Sequence, residues 1–179
     1  FSVPGFEYSV FVSFIFTLFF IVSVTNSLNL IDGMDGLAAG ISIIILSVLS
    51  IQIGSPDNLV IILLICCIFG FLRANTFPAM IFMGDSGSYF LGYSISVFIL
   101  MLFNSNDFNI LNIPLILGIP FLDTTWVFFK RLLTKSNIFS PDKNHIHHIL
   151  QSFNIQHKNV VFLLYSIQGL LAILFLIIN

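Results

Sequence analysis

Two carboxylates, two amides and three glycines lie close together in this chain, between stretches that are almost pure hydrocarbon. They occupy the segment from Asn26 to Gly40, which includes Asn29, Asp32 and Asp35. Ionisable groups in or beside an apolar span are costly to place there and are functional candidates by default, and glycines let a ligand approach the backbone closely. The structural alternative is a polar turn between two membrane helices, with Asp35 as a helix N-cap.

A second polar cluster runs from Arg73 to Ser88 and ends in Gly84-Asp85-Ser-Gly-Ser. The sequence places this end at the start of a helix, where unpaired N–H groups and partial positive charge suit a phosphate. Asp85 could also hold Mg²⁺, which prefers one or two carboxylates together with substrate phosphate oxygens. Alternatively, Asp85 is only a helix cap.

The third cluster is a basic and histidine-rich segment near the end of the chain. Lys130 and Arg131 are followed by Ser-Pro-Asp-Lys143-Asn-His145-Ile-His147-His148. Such a set could bind a diphosphate, neutral imidazoles could bind a transition metal, or the segment could be a solvated topology anchor. No cysteine or glutamate completes a zinc set.

Two further polar residues stand apart from these clusters. Asp123 lies inside an apolar stretch, about two helical turns before Lys130, so it needs a partner or a water-filled cavity. It could line the polar site or pair with a cation at the helix end. His157, at the start of the last apolar stretch, is predicted to be interfacial.

The composition places all these residues in a membrane protein. Hydrophobic residues make up 58% of the chain and charged residues only 8%, against about 25% charged in soluble domains. A net charge of −2 indicates no nucleic-acid partner, and the adjacent cysteines 66 and 67 imply no disulfide framework. Six apolar stretches approach the roughly 20 residues that span a bilayer, and they predict an all-α, polytopic integral membrane protein. They are Tyr8–Thr25, Leu37–Ile53, Leu59–Leu72, Tyr89–Phe103, Ile110–Phe129 and Val160–Ile178.

The positive charges orient these spans. All six lysines and arginines fall on or beside three alternate connections, whereas Glu7, Asp57 and Asp107 lie on the opposite side. The positive-inside rule makes the basic side cytoplasmic. Every polar cluster lies on that side, so we expect the clusters to form one site.

The three clusters together resemble a known family of enzymes. The chain contains, in this order, Asn29-x-x-Asp32-Gly-x-Asp35-Gly-Leu-Ala-x-Gly, Phe82-Met-Gly-Asp85-x-Gly-Ser and Asp142-x-x-His145-x-His147-His148. This pattern resembles the polyprenyl-phosphate N-acetylhexosamine 1-phosphate transferases. His-Ile-His-His after Ser-Pro-Asp is most similar to the undecaprenyl-phosphate N-acetylglucosaminyl 1-phosphate transferases, which start cell-envelope polysaccharides in the bacterial inner membrane.

The resemblance implies phosphoryl transfer from a UDP-N-acetylhexosamine to a polyprenyl phosphate, with release of UMP. It implies that Asp85 binds Mg²⁺, or Mn²⁺ in its place, and it is compatible with a homodimer. The catalytic residues that it implies are Asp32, Asp35, Asp85, His145, His147 and His148. The substrate-binding residues would be Asn29, Asn75, Phe82, Arg131, Lys143 and Asp123, with Phe82 stacking on uracil.

One part of the family pattern is not found in this sequence. The family has an Asp-Asp-x-x-Asp motif upstream of these segments and about ten or eleven spans. We therefore expect residues 1–179 to be one transmembrane domain that forms the C-terminal part of a longer transferase and is inactive alone. The other interpretations are an inactive scaffold half and, less favoured because the polar residues cluster at one face, a transporter.

Overall fold

The computed structural model of the protein describes residues 10–103, 109–134 and 145–178. This part of the chain forms α-helices and one short 3₁₀ helix, Ile110–Asn112, with no strand. The α-helices are α1 (Val10–Ile31), α2 (Leu37–Gln52), α3 (Asn58–Asn75), α4 (Gly84–Phe103), α5 (Ile113–Thr134), α6 (Ile146–Ser152) and α7 (His157–Ile178).

The prediction of an all-α polytopic membrane protein is confirmed. Each apolar stretch forms a helix, and five of these helices are long and apolar enough to cross a membrane. The sixth, α2, has 16 residues and is therefore about 24 Å long. The first helix continues to Ile31, beyond the predicted end at Thr25. Asn29 consequently lies in the last turn of α1 rather than in a loop.

Helix α2 forms the centre of the bundle. It packs against α3, α4 and α7 and more weakly against α1 and α5, and most of its side chains are buried. Lipid-facing residues lie on the surrounding helices instead; Phe11, Phe14 and Phe19 on α1, for example, are exposed. Since protein covers α2 on most sides, its neighbours determine its position.

The α1–α4 pair approaches closely through a glycine. A Cβ atom added at Gly92 would lie 2.6 Å from the Cα atom of Thr25. Small residues allow membrane helices to pack backbone against backbone. This contact holds the end of α1, where the first polar cluster begins, beside the start of α4, where the second polar cluster ends.

The fifth helix is broken, although the sequence predicts a continuous span. Gly118 has φ 38° and ψ −108°, and Pro120 follows it. Proline lacks the N–H that an α-helix needs, and kinks are usually found beside it. The break divides α5 into a first segment and a second segment that carries Asp123.

The described residues of all three polar clusters lie at one end of the bundle. Helices α1, α3 and α5 end there and α2, α4 and α7 begin there. Hydrogen bonds join the connections between them, from the α1–α2 segment to the α3–α4 segment and from α5 to the start of α6. The fold thus brings together motifs that are more than a hundred residues apart in sequence.

Candidate active site

Asn29 joins the first two motifs directly. Its Nδ2 donates to Oδ1 of Asp85 at 3.0 Å and to Oγ of Ser88 at 2.9 Å. Ser88 is completely buried and donates to the backbone of its own helix, so it holds the amide in place. Asp85 itself is exposed. The Asp85 carboxylate, which the family resemblance assigns to the metal, therefore projects at the surface of the site and is oriented by the Asn29 amide of α1.

Asp32 is the second carboxylate at this position. Its partial burial and the nearby charge of Asp85, in that order, raise its pKa from 3.8 to about 6. A cation beside Asp85 and Asp32 would offset the burial and the like charge that disfavour the ionised form of Asp32. Asp32 and Asp85 are a donor set that fits Mg²⁺, which takes one or two carboxylates and leaves its other positions to water or phosphate. Among the residues described, no group of three His, Cys, Asp or Glu side chains is arranged to hold a metal alone.

The raised pKa of Asp32 predicts a pH-dependent effect on stability. A carboxylic acid whose folded pKa exceeds its unfolded value stabilises the fold most below the unfolded pKa, here 3.8, and loses this contribution as pH rises through about 6. Asp32→Asn should therefore melt at a higher temperature than the wild type at pH 7.5 without divalent cations, with the difference vanishing near pH 4. Thermal unfolding in detergent measures the melting temperatures of the variant and the wild type at each pH. An equal difference between them at the two pH values would contradict the raised pKa of Asp32.

The first and second motifs are also held together by structural hydrogen bonds. Oδ2 of Asp35 accepts from the Ala79 N–H at 3.0 Å. Buried Asn75 accepts from the Gly36 N–H at 3.1 Å and donates to the Ile81 carbonyl at 2.9 Å. Asp35 does not cap α2; the N-cap residue is Gly36, with φ 79° and no side-chain cap. The structural alternative, in which Asp35 is only the N-cap of α2, is therefore wrong, because its carboxylate bonds the α3–α4 segment.

Helix α7 holds the same segment from the other side. The Tyr165 hydroxyl donates to the Gly36 carbonyl, and a Cβ atom at Gly40 would overlap the Tyr165 ring at 2.1 Å. Nε2 of His157 lies 3.4 Å from the Asp35 carbonyl oxygen, and its ring stacks on Phe77 with centroids 4.5 Å apart. A groove of about 270 Å³ runs between these residues and the end of α3.

Asp123 connects the second segment of α5 to the third motif. It is buried, and its Oδ2 lies 2.7 Å from Nδ1 of His145. Its Oδ1 accepts the backbone N–H of Ile146 at 2.6 Å, in the first turn of α6. Of the two partners that the sequence allows, the polar site and a helix-end cation, Asp123 has the first. One carboxylate thus orients the first histidine and caps the helix that carries the others.

The next histidine is packed against the first motif. His147 is buried, and a Cβ atom at Gly33 would lie 2.5 Å from its Nε2. Within the described chain, this Nε2 has no hydrogen-bond partner. Burial and the neighbouring His148 are the main causes that lower the pKa of His147 to about 4, so the ring is neutral at physiological pH. The rings of His145, His147 and His148 follow one another, with centroids 5.8 Å and 4.3 Å apart.

The other predicted site residues have different surroundings. Phe82 lies between α3 and α4 with 77% of its surface exposed, so its face is available to a ligand. Arg131 lies in the last turn of α5. Lys143 lies outside the described residues. The predicted roles of these residues stay predictions.

Sequence reasoning missed the residues of α7 that support the site through hydrogen bonds to other helices and connections. Tyr165 gave no signal, since a tyrosine in an apolar helix is common. Gln168 could have been identified, because it is an amide inside the very apolar last helix, and such groups need partners.

Comparison with known proteins gives these motifs a family. The profile of glycosyl transferase family 4 matches residues 1–103, more than half of the chain. The chain belongs to glycosyl transferase family 4. The first two motifs lie within the matched residues, and the histidine motif follows them.

Individual family members agree with this assignment. The chain is 45% identical over 163 residues to a probable undecaprenyl-phosphate N-acetylglucosaminyl 1-phosphate transferase of Bacillus subtilis, covering 88% of the chain and 46% of that protein. It is 36% identical over 146 residues to an undecaprenyl-phosphate alpha-N-acetylglucosaminyl 1-phosphate transferase of Thermotoga maritima, covering 80% and 46%. A phospho-N-acetylmuramoyl-pentapeptide-transferase of Staphylococcus epidermidis is 35% identical over 137 residues, covering 74% and 42%. The chain thus spans about half the length of the curated relatives that it matches.

Proposed function

We propose that this chain forms part of an enzyme that transfers a sugar 1-phosphate from a UDP-sugar to polyprenyl phosphate. Membership of glycosyl transferase family 4 supports a transferase. The observation that carries the proposal is the convergence of all three motifs at one end of the bundle. Asn29 bonds Asp85, and Gly33 touches His147. A single pocket for a nucleotide diphosphate and a lipid phosphate needs such a meeting of carboxylates and imidazoles.

In the proposed reaction, an oxygen of the lipid phosphate attacks the sugar-linked phosphorus of the donor. The bond from that phosphorus to the UMP oxygen breaks, and UMP leaves. Phosphoryl transfer depends mostly on positioning and charge stabilisation, so the residues present need not react covalently. A Mg²⁺ ion held by Asp85 and Asp32 would supply charge neutralisation at the diphosphate.

The histidines suit the task of holding phosphate oxygens. Because Asp123 accepts from Nδ1 of His145, the Nε2 atom of that ring is left for a second partner, here proposed to be a phosphate group. His147 is neutral at pH 7 because its pKa is about 4, so one of its nitrogens can donate without adding charge. Arg131 and Lys143 are proposed to supply positive charge, and His148 lies beside His147.

The uridine is proposed to lie between the α1–α2 and α3–α4 segments. Phe82 is exposed and can stack on a base. Asp35 and Asn75 have another role besides the hydrogen bonding to uridine that the resemblance implies. Their oxygens accept N–H groups across the two segments, which would keep the walls of the pocket at a fixed separation.

The site is proposed to face the cytoplasm of a bacterial inner membrane. Arg73, Lys130, Arg131 and Lys158 lie at the same end of the bundle as the motifs, as the positive-inside rule requires of a cytoplasmic face. Cysteines introduced near Asp57 should react with an impermeant reagent added outside, and cysteines near Arg73 should not. The opposite labelling would contradict the orientation.

The experiment that tests the function uses a chimaera. The chain is fused to the part of the Bacillus subtilis relative that it does not align with, and membranes are supplied with UDP-[³H]N-acetylglucosamine, polyprenyl phosphate and Mg²⁺. Labelled lipid and stoichiometric UMP are expected from the chimaera and not from the chain alone. Other UDP-N-acetylhexosamines are tested in parallel. A chimaera that inserts in the membrane and is inactive with every donor would overturn the proposal.

A further inference from the structure

Gln168 of α7 is a buried amide at the level where α5 is broken. It is completely buried in α7, which has the highest mean hydropathy of the five helices that are long enough to span a membrane. Its Oε1 accepts the Ile119 N–H at 2.9 Å, and its Nε2 donates to the Ile116 carbonyl at 2.9 Å. An amide buried in a membrane protein is unfavourable unless it is paired, and here both ends of the amide are paired with the backbone of another helix.

These two backbone groups lie at the break, where the regular helical partner of each is lost. In a regular helix the Ile116 carbonyl would accept from residue 120, but Pro120 has no N–H. The non-helical torsions of Gly118 disrupt the usual bond from the Ile119 N–H to residue 115. The Gln168 side chain therefore replaces both lost hydrogen bonds.

Gly118 is adapted to this arrangement in two ways. Its φ of 38° is a conformation that other residues adopt only with strain. A Cβ atom on it would also lie 2.3 Å from Oε1 of Gln168. The break and the amide thus form one unit, since any larger residue at position 118 would displace the Gln168 side chain.

The direction of the second segment of α5 depends on this unit. Several of its large side chains, including Phe121, Trp126 and Phe129, are exposed on the lipid side. Asp123 lies five residues beyond Gly118, about 7 Å along the axis. A rotation of 10° at the break would move Asp123 by about 1 Å. It would move His145 with it, because these two residues are bonded.

We propose that Gln168 is a positioning residue that fixes the break in α5 and thereby sets where Asp123 holds His145. The consequence for catalysis rests on the proposed transferase function, in which His145 contacts phosphate oxygens. A misplacement of about 1 Å in such a site can cost around 100-fold in rate. The positioning itself is independent of the reaction and can be measured separately.

The test measures the direction of α5 in the whole protein. Spin labels are placed at Leu133 and Phe162, both exposed, after the exposed Cys66 and Cys67 are changed to serine. Position 133 lies about 22 Å beyond the break, so a 10° rotation would displace the label there by about 4 Å and change the distance between the two labels by up to that amount. Gln168→Met, similar in size but unable to bond the backbone, should shift or broaden the distance distribution.

Two comparison variants separate positioning from general packing. Gln168→Glu, neutral in this apolar environment, retains one acceptor and one O–H donor and should restore the wild-type distance. Leu164→Ala removes a buried side chain from the same helix and should lower the melting temperature without changing the distance. Gln168→Asn, one methylene too short to reach both partners, should resemble Gln168→Met and provides the measurement if the methionine variant does not fold.

The proposal is overturned if Gln168→Met and Gln168→Asn keep the wild-type distance, or if Leu164→Ala changes it equally. In the active chimaera, Gln168→Met should lower kcat about 10-fold or more while Gln168→Glu stays near the wild-type rate. If the chimaera with Gln168 intact has no transfer activity, the proposed function fails while the distance measurement still decides the positioning role.

Discussion

Asp85→Asn should abolish transfer in the chimaera, with a loss of at least 100-fold, while the protein still folds and inserts. Asparagine keeps the size of the side chain but removes the negative charge. Asp32 alone would then have to hold a divalent cation, and one carboxylate offers weaker binding than two. Metal ions supply several kcal/mol of charge stabilisation in phosphoryl transfer, about 1.4 kcal/mol for each factor of ten in rate. The transfer rate and Mn²⁺ binding, followed by paramagnetic resonance, should fall together.

Asp57→Asn is a matched control for this variant. Asp57 is exposed and precedes α3 without capping it through its side chain, at the end of the bundle away from the motifs. Its loss should leave both transfer and Mn²⁺ binding unchanged. If Asp85 serves only as a cap, asparagine caps about as well, so the replacement costs little stability and little activity. Normal turnover by Asp85→Asn would therefore eliminate the metal role.

The positions of the helices could be predicted because a membrane imposes simple rules. A helix that crosses lipid must be apolar for about 20 residues, and this rule located α2, α3 and α7 closely. The end of α1 was placed too early, at Thr25. Asn26 and Asn29 look like loop residues in sequence, but Asn29 is stable in the helix because Ser88 and Asp85 of α4 accept its hydrogen bonds.

The meeting of the motifs could also be predicted, but not their internal contacts. The one-sided distribution of cations indicated a shared face. It could not indicate that Asp123 pairs with His145, because that pairing depends on the direction of α5 after Gly118. A glycine and a proline near each other suggest a kink, whereas the angle of the kink depends on a partner, Gln168, about fifty residues away in sequence.

The hydrogen bonds of Asp35 and Asn75 illustrate a further limit. From motif spacing, both residues are associated with the ligand. In the structure each also bonds a backbone N–H of the opposite segment. A polar residue in a motif can hold the pocket in shape as well as contact the substrate, and sequence alone gives no means of separating the two roles.

Gly33→Ala should reduce transfer by about 100-fold although alanine suits the backbone there. The φ of Gly33 is not in the left-handed region, unlike that of Gly36, Gly84 and Gly118, so the added methyl group brings no torsional strain. Its Cβ would lie 2.5 Å from Nε2 and 3.0 Å from Cε1 of His147. His147 is only 2% exposed, so its ring cannot swing into solvent, and α6 must move away from the first motif.

The expected loss follows from what α6 carries. Its displacement would disturb the Asp123 bonds to His145 and Ile146, and misplacing phosphate-binding groups by about 1 Å can cost 100-fold. Gly70→Ala and Gly169→Ala are matched controls, because a Cβ atom at either position meets nothing within 4 Å. Both should retain full activity in the chimaera assay.

A double-mutant cycle identifies the contact responsible. The cycle is measured by thermal unfolding, because His147→Ala is itself expected to lose transfer. In a His147→Ala background the alanine at position 33 no longer meets a ring, so Gly33→Ala should cause little additional loss of stability there. Independent, additive losses would contradict a direct Gly33–His147 contact, since only residues that touch or share partners couple in this way. Additive losses would mean that Gly33 is required for another reason, namely that a ligand approaches the backbone of the first motif. Coupling would mean that Gly33 is needed so that the third motif can pack against the first.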